Sequence, residues 1–261
     1  MARKGQVVIG GADFEYVMWL LERRSDIGPF LRLMRILYGE VEDCVARYAL
    51  RRLRKRDEAA ADDERKKRHE STRPAGDDKI AALKVANQSR PWHGRWCLLT
   101  YDVPEKANTA RRRLLRTVHA AGMGNLSGSA WISPYDWSDV VGEQAEECGL
   151  SRHMVWAQDA RLNWHEGAAA AAQRIWGLDR IGQRYERLGS ECDHIMGQNL
   201  VDAGAHRAAV RRMFKAFKAW TSLRTEDPML PQELLPKNWP AKVAEDAING
   251  ARKRIGVELA R

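Results

Sequence analysis

The chain has 261 residues, with 44 lysines and arginines against 35 aspartates and glutamates, for a formal net charge of +9. A 44% hydrophobic fraction beside 30% charged residues describes a globular protein of two or three small domains or one large one. The positive excess favours polyanionic partners, a balance also seen in ribosomal, membrane-surface and plainly basic soluble proteins. No apolar run nears the roughly 20 residues that a bilayer span requires, and the start lacks a basic-then-apolar signal pattern.

The first third reads as three helices. Asp13 is placed to cap a helix through Arg23, with Phe14, Val17, Met18 and Leu21 on its apolar side. Ile27 to Tyr38 reads as a second helix, with Pro29 in its first turn and Gly39 ending the run. Val41 to Arg56 offers a third, with Val41, Val45, Tyr48 and Leu53 on one side. Arg47, Arg51, Arg52, Arg54, Lys55 and Arg56 crowd the rest of it. Three short helices with a basic third suit a helix-turn-helix DNA-binding domain over residues 1–60. Residues early in a recognition helix reach base edges, so Arg47 and Arg51 are the base-edge candidates; Arg54, Lys55 and Arg56 suit phosphate. Glu42 and Asp43, at the start of that helix, would repel phosphate. The competing reading is a solvated basic face on an ordinary helical hairpin.

Residues 57–78, DEAAADDERKKRHESTRPAGDD, are dense in charge and poor in apolar side chains. They read as a helix extension followed by a linker. Arg65 to Arg68, RKKR, suits phosphate contact or a solvated charge run equally. Lys79 to Val85, KIAALKV, fits either a remnant wing strand or a short helix, so residues 61–90 form a charged linker or remnant wing.

Trp96 to Val103, WCLLTYDV, has the aromatic and β-branched content of a buried strand, and Pro104 enforces an extended residue before it. Ala110, Leu114, Val118 and Ala121 then recur at helical spacing, with Arg111, Arg112, Arg113 and Arg116 on the wetter side. Gly122 suits the residue just past the helix. Ser129 to Ser133 is a further short strand, ended by Pro134. Strand, helix and strand in this order suggest helices laid over one sheet face. Asp136 to Cys148 reads as a helix with Trp137, Val140, Val141 and Ala145 on one side and Gly149 at its end. A strand begins near His153.

From Gly167 the pattern is helical. Ala168 to Ala172, Ile175 and Trp176 lead into Leu178, Ile181, Tyr185 and Leu188, with Gly177 as a bend. Ala205 to Leu223 is a further helix, with Val210, Met213, Phe214, Phe217 and Trp220 inward. DPMLPQELLPKNWP, residues 227–240, is a proline-stiffened turn anchored by leucines and a tryptophan. Pro240 opens a last helix through about Ile255.

Several of these residues carry a resemblance. Trp92, Gly94, Arg95 and Trp96, then Tyr101 to Pro104, Arg111, Leu115, Gly122, Leu126, Trp131, Ile132 and Pro134 fall in one register. Trp176, Leu178 and Tyr185 follow, and then Asp227, Pro228, Leu230, Pro231, Leu234, Leu235, Pro236, Trp239 and Pro240. Together they resemble the PaaX family, repressors of phenylacetate degradation genes, over about residues 91–258. The chain departs from the family in Met123, where an aromatic is usual, and in the densely charged segment 57–78, where members usually have a compact two-stranded wing.

The resemblance implies an α+β protein: an N-terminal helix-turn-helix, possessing a wing in known members, a ferredoxin-like middle domain over residues 91–163 similar to small CRISPR adaptation nucleases, and a helical effector or dimerisation domain over residues 164–261. It implies a homodimeric, effector-responsive repressor of a catabolic operon that binds double-stranded DNA as an imperfect palindrome. It also implies an effector such as an aryl-coenzyme A thioester.

The residues point to little bond-making chemistry. No HExxH, GxSxG, phosphate-loop or dinucleotide-glycine pattern is present, and no cofactor or metal is expected. Asp102, at a strand end, is where the related nucleases carry a metal-binding aspartate. Pairing of two such carboxylates across a dimer is the enzyme alternative. The plainer role is to cap the following turn or pair with an arginine, and a non-specific nucleic-acid-binding module is a third reading. The seven histidines are scattered. Trp176, Tyr185 and Trp220 are the candidate effector contacts, with ordinary core packing as the first expectation for the tryptophans. Cys44, Cys97, Cys148 and Cys192 are too widely separated for a zinc site and suit reduced thiols in the cytoplasm.

Overall fold

The computed structural model describes residues 76–88, 90–200 and 202–260. The helix-turn-helix expected over residues 1–60, with Arg47, Arg51, Arg52, Arg54, Lys55 and Arg56, lies outside the described residues. So does the RKKR run. The described residues divide into two compact units, one of residues 76–183 with 223–239 and one of residues 184–222 with 240–260.

The first unit begins with helix α1 (Gly76–Gln88), so the KIAALKV segment is helical. Ile80 is buried and Leu83 packs beside it in the core. There follow β1 (Trp96–Tyr101), a 3-10 turn (Glu105–Ala107), α2 (Asn108–Ala120), β2 (Gly124–Ser127), β3 (Ala130–Ser133), α3 (Ser138–Glu147), β4 (Met154–Ala160) and α4 (Ala168–Trp176). The four strands form one antiparallel sheet in the order β2-β3-β1-β4. With α2 and α3 at the two crossovers, this is the split βαβ, or ferredoxin-like, arrangement.

The sequence pattern explains the layering. Leu99 and Tyr101, two positions apart on β1, point to one face and join the core with Leu114 and Val118 of α2 and Val140, Val141 and Ala145 of α3. Arg111, Arg112, Arg113 and Arg116 all remain exposed on the outer side of α2. Helix α2 stops where Gly122 takes φ +74° and its N–H donates to the carbonyl of His119. The β1 to β4 ladder shifts register between Trp96 and Leu98, and Asp159 opposite takes φ +54°. One extra residue on β4 thus makes a bulge.

The second unit is helical. It contains most of α5 (Leu178–Gly197) and α6 (Ala203–Glu226), and α7 (Ala241–Ala260). Gly177, in the left-handed region, separates α4 from α5 as its position in the pattern predicts. Tyr185, Leu188, Cys192 and Ile195 form a buried stripe on α5. Val210, Met213 and Phe217 do so on α6, and Ala244, Ile248, Ala251 and Ile255 on α7. Polar ties join α5 to α6 in antiparallel sense: Arg184 donates to Ser222 at 3.3 Å and Arg212 pairs with Glu191 at 3.5 Å. Arg254 of α7 donates to the carbonyls of Ile195 and Gln198.

Candidate functional site

Asp102 follows β1 directly and is exposed. Its N–H donates to the carbonyl of His153 at 2.9 Å, which extends the β1 to β4 ladder by one step. Its carboxylate neither caps the 3-10 turn nor pairs with an arginine among the described residues. Arg111 of α2 lies over the ring of the neighbouring Tyr101, at 5.7 Å from its centre. No group of three His, Cys, Asp or Glu side chains gathers at this or another place among the described residues.

Trp176 sits at the end of α4. Its Nε1–H donates to the carbonyl of Gly122 at 2.8 Å, and its ring stacks on Trp96 with centroids 6.4 Å apart. A Cβ built on Gly124 would lie 2.7 Å from the Trp176 ring, so the absent side chain is what lets α4 lie on the sheet. Trp92 and Trp164 complete the cluster around Trp96 at 5.0 and 5.8 Å, both edge-on. Trp92 Nε1 donates to the carbonyl of Arg95, whereas Trp164 Nε1 is buried without an acceptor among the described residues. The other two effector candidates belong to the second unit. Tyr185 is buried at 2% exposure; Trp220 is half-buried with its ring 6.2 Å from that of Phe217.

A cluster that pattern reasoning missed joins α1 to the DPML turn. Lys84 is 5% exposed, and its Nζ donates to the carbonyl of Asp227 at 2.7 Å. Burial pushes the Lys84 ammonium below its ordinary value, while Asp227 opposes that shift and Arg224 adds to it. Asp227 Oδ1 accepts the N–H of Met229 at 2.7 Å, which holds Met229 at φ +54°. Tyr135 Oη donates to the carbonyl of Met229 at 2.9 Å; its burial pushes the phenol pKa up. Pro228 passes so close to Gly122 that a Cβ there would meet it at 3.1 Å. Outside this cluster, Trp92 N–H donates to Glu233 at 3.3 Å. The signal available in the sequence was the set Ile80, Leu83, Lys84 and Asn87 at helical spacing, which puts a lysine on the inward stripe.

Two of the free thiols, Cys97 and Cys192, are buried. Burial pushes Cys97 and Cys192 each up to about 12, so neither is a thiolate near neutrality.

Two domain profiles match the chain. The PaaX protein central Cas2-like domain covers residues 89–171, and the PaaX-like protein C-terminal domain covers residues 176–258. Among solved structures, an uncharacterized protein, Rv0674 from Mycobacterium tuberculosis, is similar with a TM-score of 0.55 and 20% identity, over 95% of this chain and 97% of that one. That likeness is one of fold. No curated protein matches the chain.

Proposed function

The chain belongs to the PaaX family, and from that premise we propose that it is a DNA-binding transcriptional regulator, an effector-responsive repressor of a catabolic operon. The observation that carries this reading is the succession of the family's central and C-terminal domains in one chain, behind a first third that holds the cationic run from Arg47 to Arg56. Arg47 and Arg51 are assigned to base edges, and Arg54, Lys55 and Arg56 to phosphates, with Arg52 on the same basic face. A homodimer in the cytoplasm would set two such helices in successive major grooves. An aryl-coenzyme A thioester is the proposed effector. It shifts the dimer away from the DNA-competent state by binding the other state more tightly. Tyr185 and Trp220, both of the helical unit, are its proposed contacts.

The test is selection of duplexes from a promoter library with the purified full-length protein. The reading expects enrichment of one imperfect palindrome. Weak binding that is equal for every sequence would sink it.

The exposed carboxylate of Asp102, unpaired among the described residues, supports a second reading as a metal-dependent nuclease. Magnesium-dependent cleavage that disappears in Asp102→Ala would establish that reading instead.

A further inference from the structure

Helix α6 carries an unusual distribution of charge. Arg207, Arg211, Lys215 and Lys218 are all exposed. Their spacing of four, four and three residues sets them on one side of the helix, over about 16 Å at 1.5 Å per residue. The first turn of α6 has no acidic residue, and its one acid, Glu226, is the last residue. Arg211 and Lys215 have no hydrogen-bond or ion-pair partner among the described residues; Arg207 feels the Asp202 carboxylate that caps the helix, and Lys218 Nζ lies 4.4 Å from the centre of the Phe214 ring. By contrast Arg212, one position off the stripe, is paired with Glu191. Like charges spaced this closely repel, and an external polyanion relieves the repulsion.

We propose that Arg207, Arg211, Lys215 and Lys218 form a second nucleic-acid contact, a stripe of cations that grips the phosphate backbone of duplex DNA without reading its sequence. The surrounding residues favour this partner. The other exposed residues in the body of α6 include Gly204, Ala208 and Ala219, too small to hold a backbone away. A membrane-lying helix needs an exposed apolar face, and the apolar face of α6, Val210, Met213 and Phe217, is buried in the protein. Protein interfaces rest on apolar or aromatic anchors, and single strands on exposed rings that stack the bases. On the exposed side of α6 no large apolar side chain is fully exposed, and the ring beside the stripe, Phe214, is half-buried with the Lys218 ammonium over its face. What remains is charge at regular spacing, the requirement for a phosphate row.

The inference rests on the reading of the chain as a DNA-binding protein, and its test separates the two. Binding of the full chain to a mixed-sequence duplex is followed across a range of salt concentrations, for the wild type, for the double variant Arg211→Gln with Lys215→Gln, and for Lys253→Gln, an exposed lysine on α7 outside the stripe. Each lost phosphate contact removes about 0.9 from the slope of log affinity against log salt. The double variant is therefore expected to lose about 1.8, and Lys253→Gln nothing, with unchanged thermal unfolding in both. A slope equal to that of the wild type overturns the inference and leaves sequence-selective regulation standing. Sequence-blind binding with the reduced slope upholds the stripe and overturns the regulator. Absence of any duplex binding overturns both, as does binding to phosphatidylserine vesicles with none to duplex.

Discussion

The ammonium of Lys84 donates to the main-chain carbonyl of Asp227 at 2.7 Å, across 143 positions of sequence. Both residues are buried, at 5% and 3% exposure. The bond joins α1, which emerges from the basic first third, to the proline-stiffened turn of the family's C-terminal domain. The position of α1 on the sheet core thus depends on one buried lysine as well as on Ile80 and Leu83.

Lys84 predicts an unusual pair of variants. Lys84→Ala removes the bond and leaves a void, at a cost of about 2–4 kcal/mol. Lys84→Met keeps most of the volume and removes the charge whose burial is unfavourable, so it stays within about 1 kcal/mol of the wild type. The pH dependence separates them further. The folded value of Lys84 is depressed, so the unfolded chain holds its proton to higher pH. The wild type should gain stability as pH rises through the folded value toward the ordinary lysine range, and that gain should be missing in Lys84→Met. Denaturant unfolding across the alkaline range checks this; parallel profiles for wild type and Lys84→Met would refute it.

Two glycines make opposite predictions. A Cβ on Gly124 meets Ile175 and lies 2.7 Å from Trp176, so Gly124→Ala must lift α4 from the sheet or distort the strand. It is expected to cost about 1–3 kcal/mol and to shift tryptophan fluorescence. Gly142 lies inside α3 with nothing within 4 Å of an added Cβ. Gly142→Ala should stabilise by about 0.5–1 kcal/mol, since alanine is the better helix former and restricts the unfolded chain. Thermal unfolding of the two variants, one falling and one rising, is the measurement.

The contrast between elements shows what local pattern carries. Leu114 and Val118 on α2, and Trp137, Val140, Val141 and Ala145 on and beside α3, are buried as their spacing requires, because a helix reveals its inner face within a few residues. The strand β2, Gly-Asn-Leu-Ser, has one apolar side chain and no alternation to read. It is a strand because Gly124 and Asn125 pair with Ile132 and Trp131, a partnership set by the following turn. Lys84 was illegible for a stronger reason: a lysine is ordinarily solvated, and its acceptor lies far away in sequence. The left-handed Met229 likewise depends on the Asp227 carboxylate two residues before it. At the candidate site, Asp102 was legible as a strand-end carboxylate, but its freedom from any described arginine was not.

Asp202 caps α6, the helix that bears the cationic stripe. Its carboxylate accepts the N–H of Ala205 at 2.7 Å. Backbone N–H groups of Ala205 and Gly204 hold its carboxyl below the usual value, with smaller help from His206 and Arg207. A depressed folded value means that the cap stabilises above the ordinary aspartate range and fades as pH falls through the folded value. Asp202→Ala should therefore lower the melting temperature at neutral pH, and its difference from wild type should shrink in acid. A difference that stays constant into acid would mean that the carboxylate is not the cap.

The basic third segment and the α6 stripe separate under one experiment on DNA. Arg47 and Arg51, assigned to base edges, should each cost about 1–3 kcal/mol on the preferred site when changed to alanine, and should relax preference at one base pair. Arg54→Ala, Lys55→Ala and Arg56→Ala, assigned to phosphates, should weaken selected and unrelated duplexes alike, with the salt slope falling by about 0.9 for each contact removed. The competing reading of that segment as a solvated basic face makes a different prediction: all five changes would act on every sequence equally and weakly. Measuring each variant on the selected palindrome and on a scrambled duplex of the same length distinguishes the two. Preference unaltered by Arg47→Ala and Arg51→Ala would remove base reading from this segment, even if affinity fell.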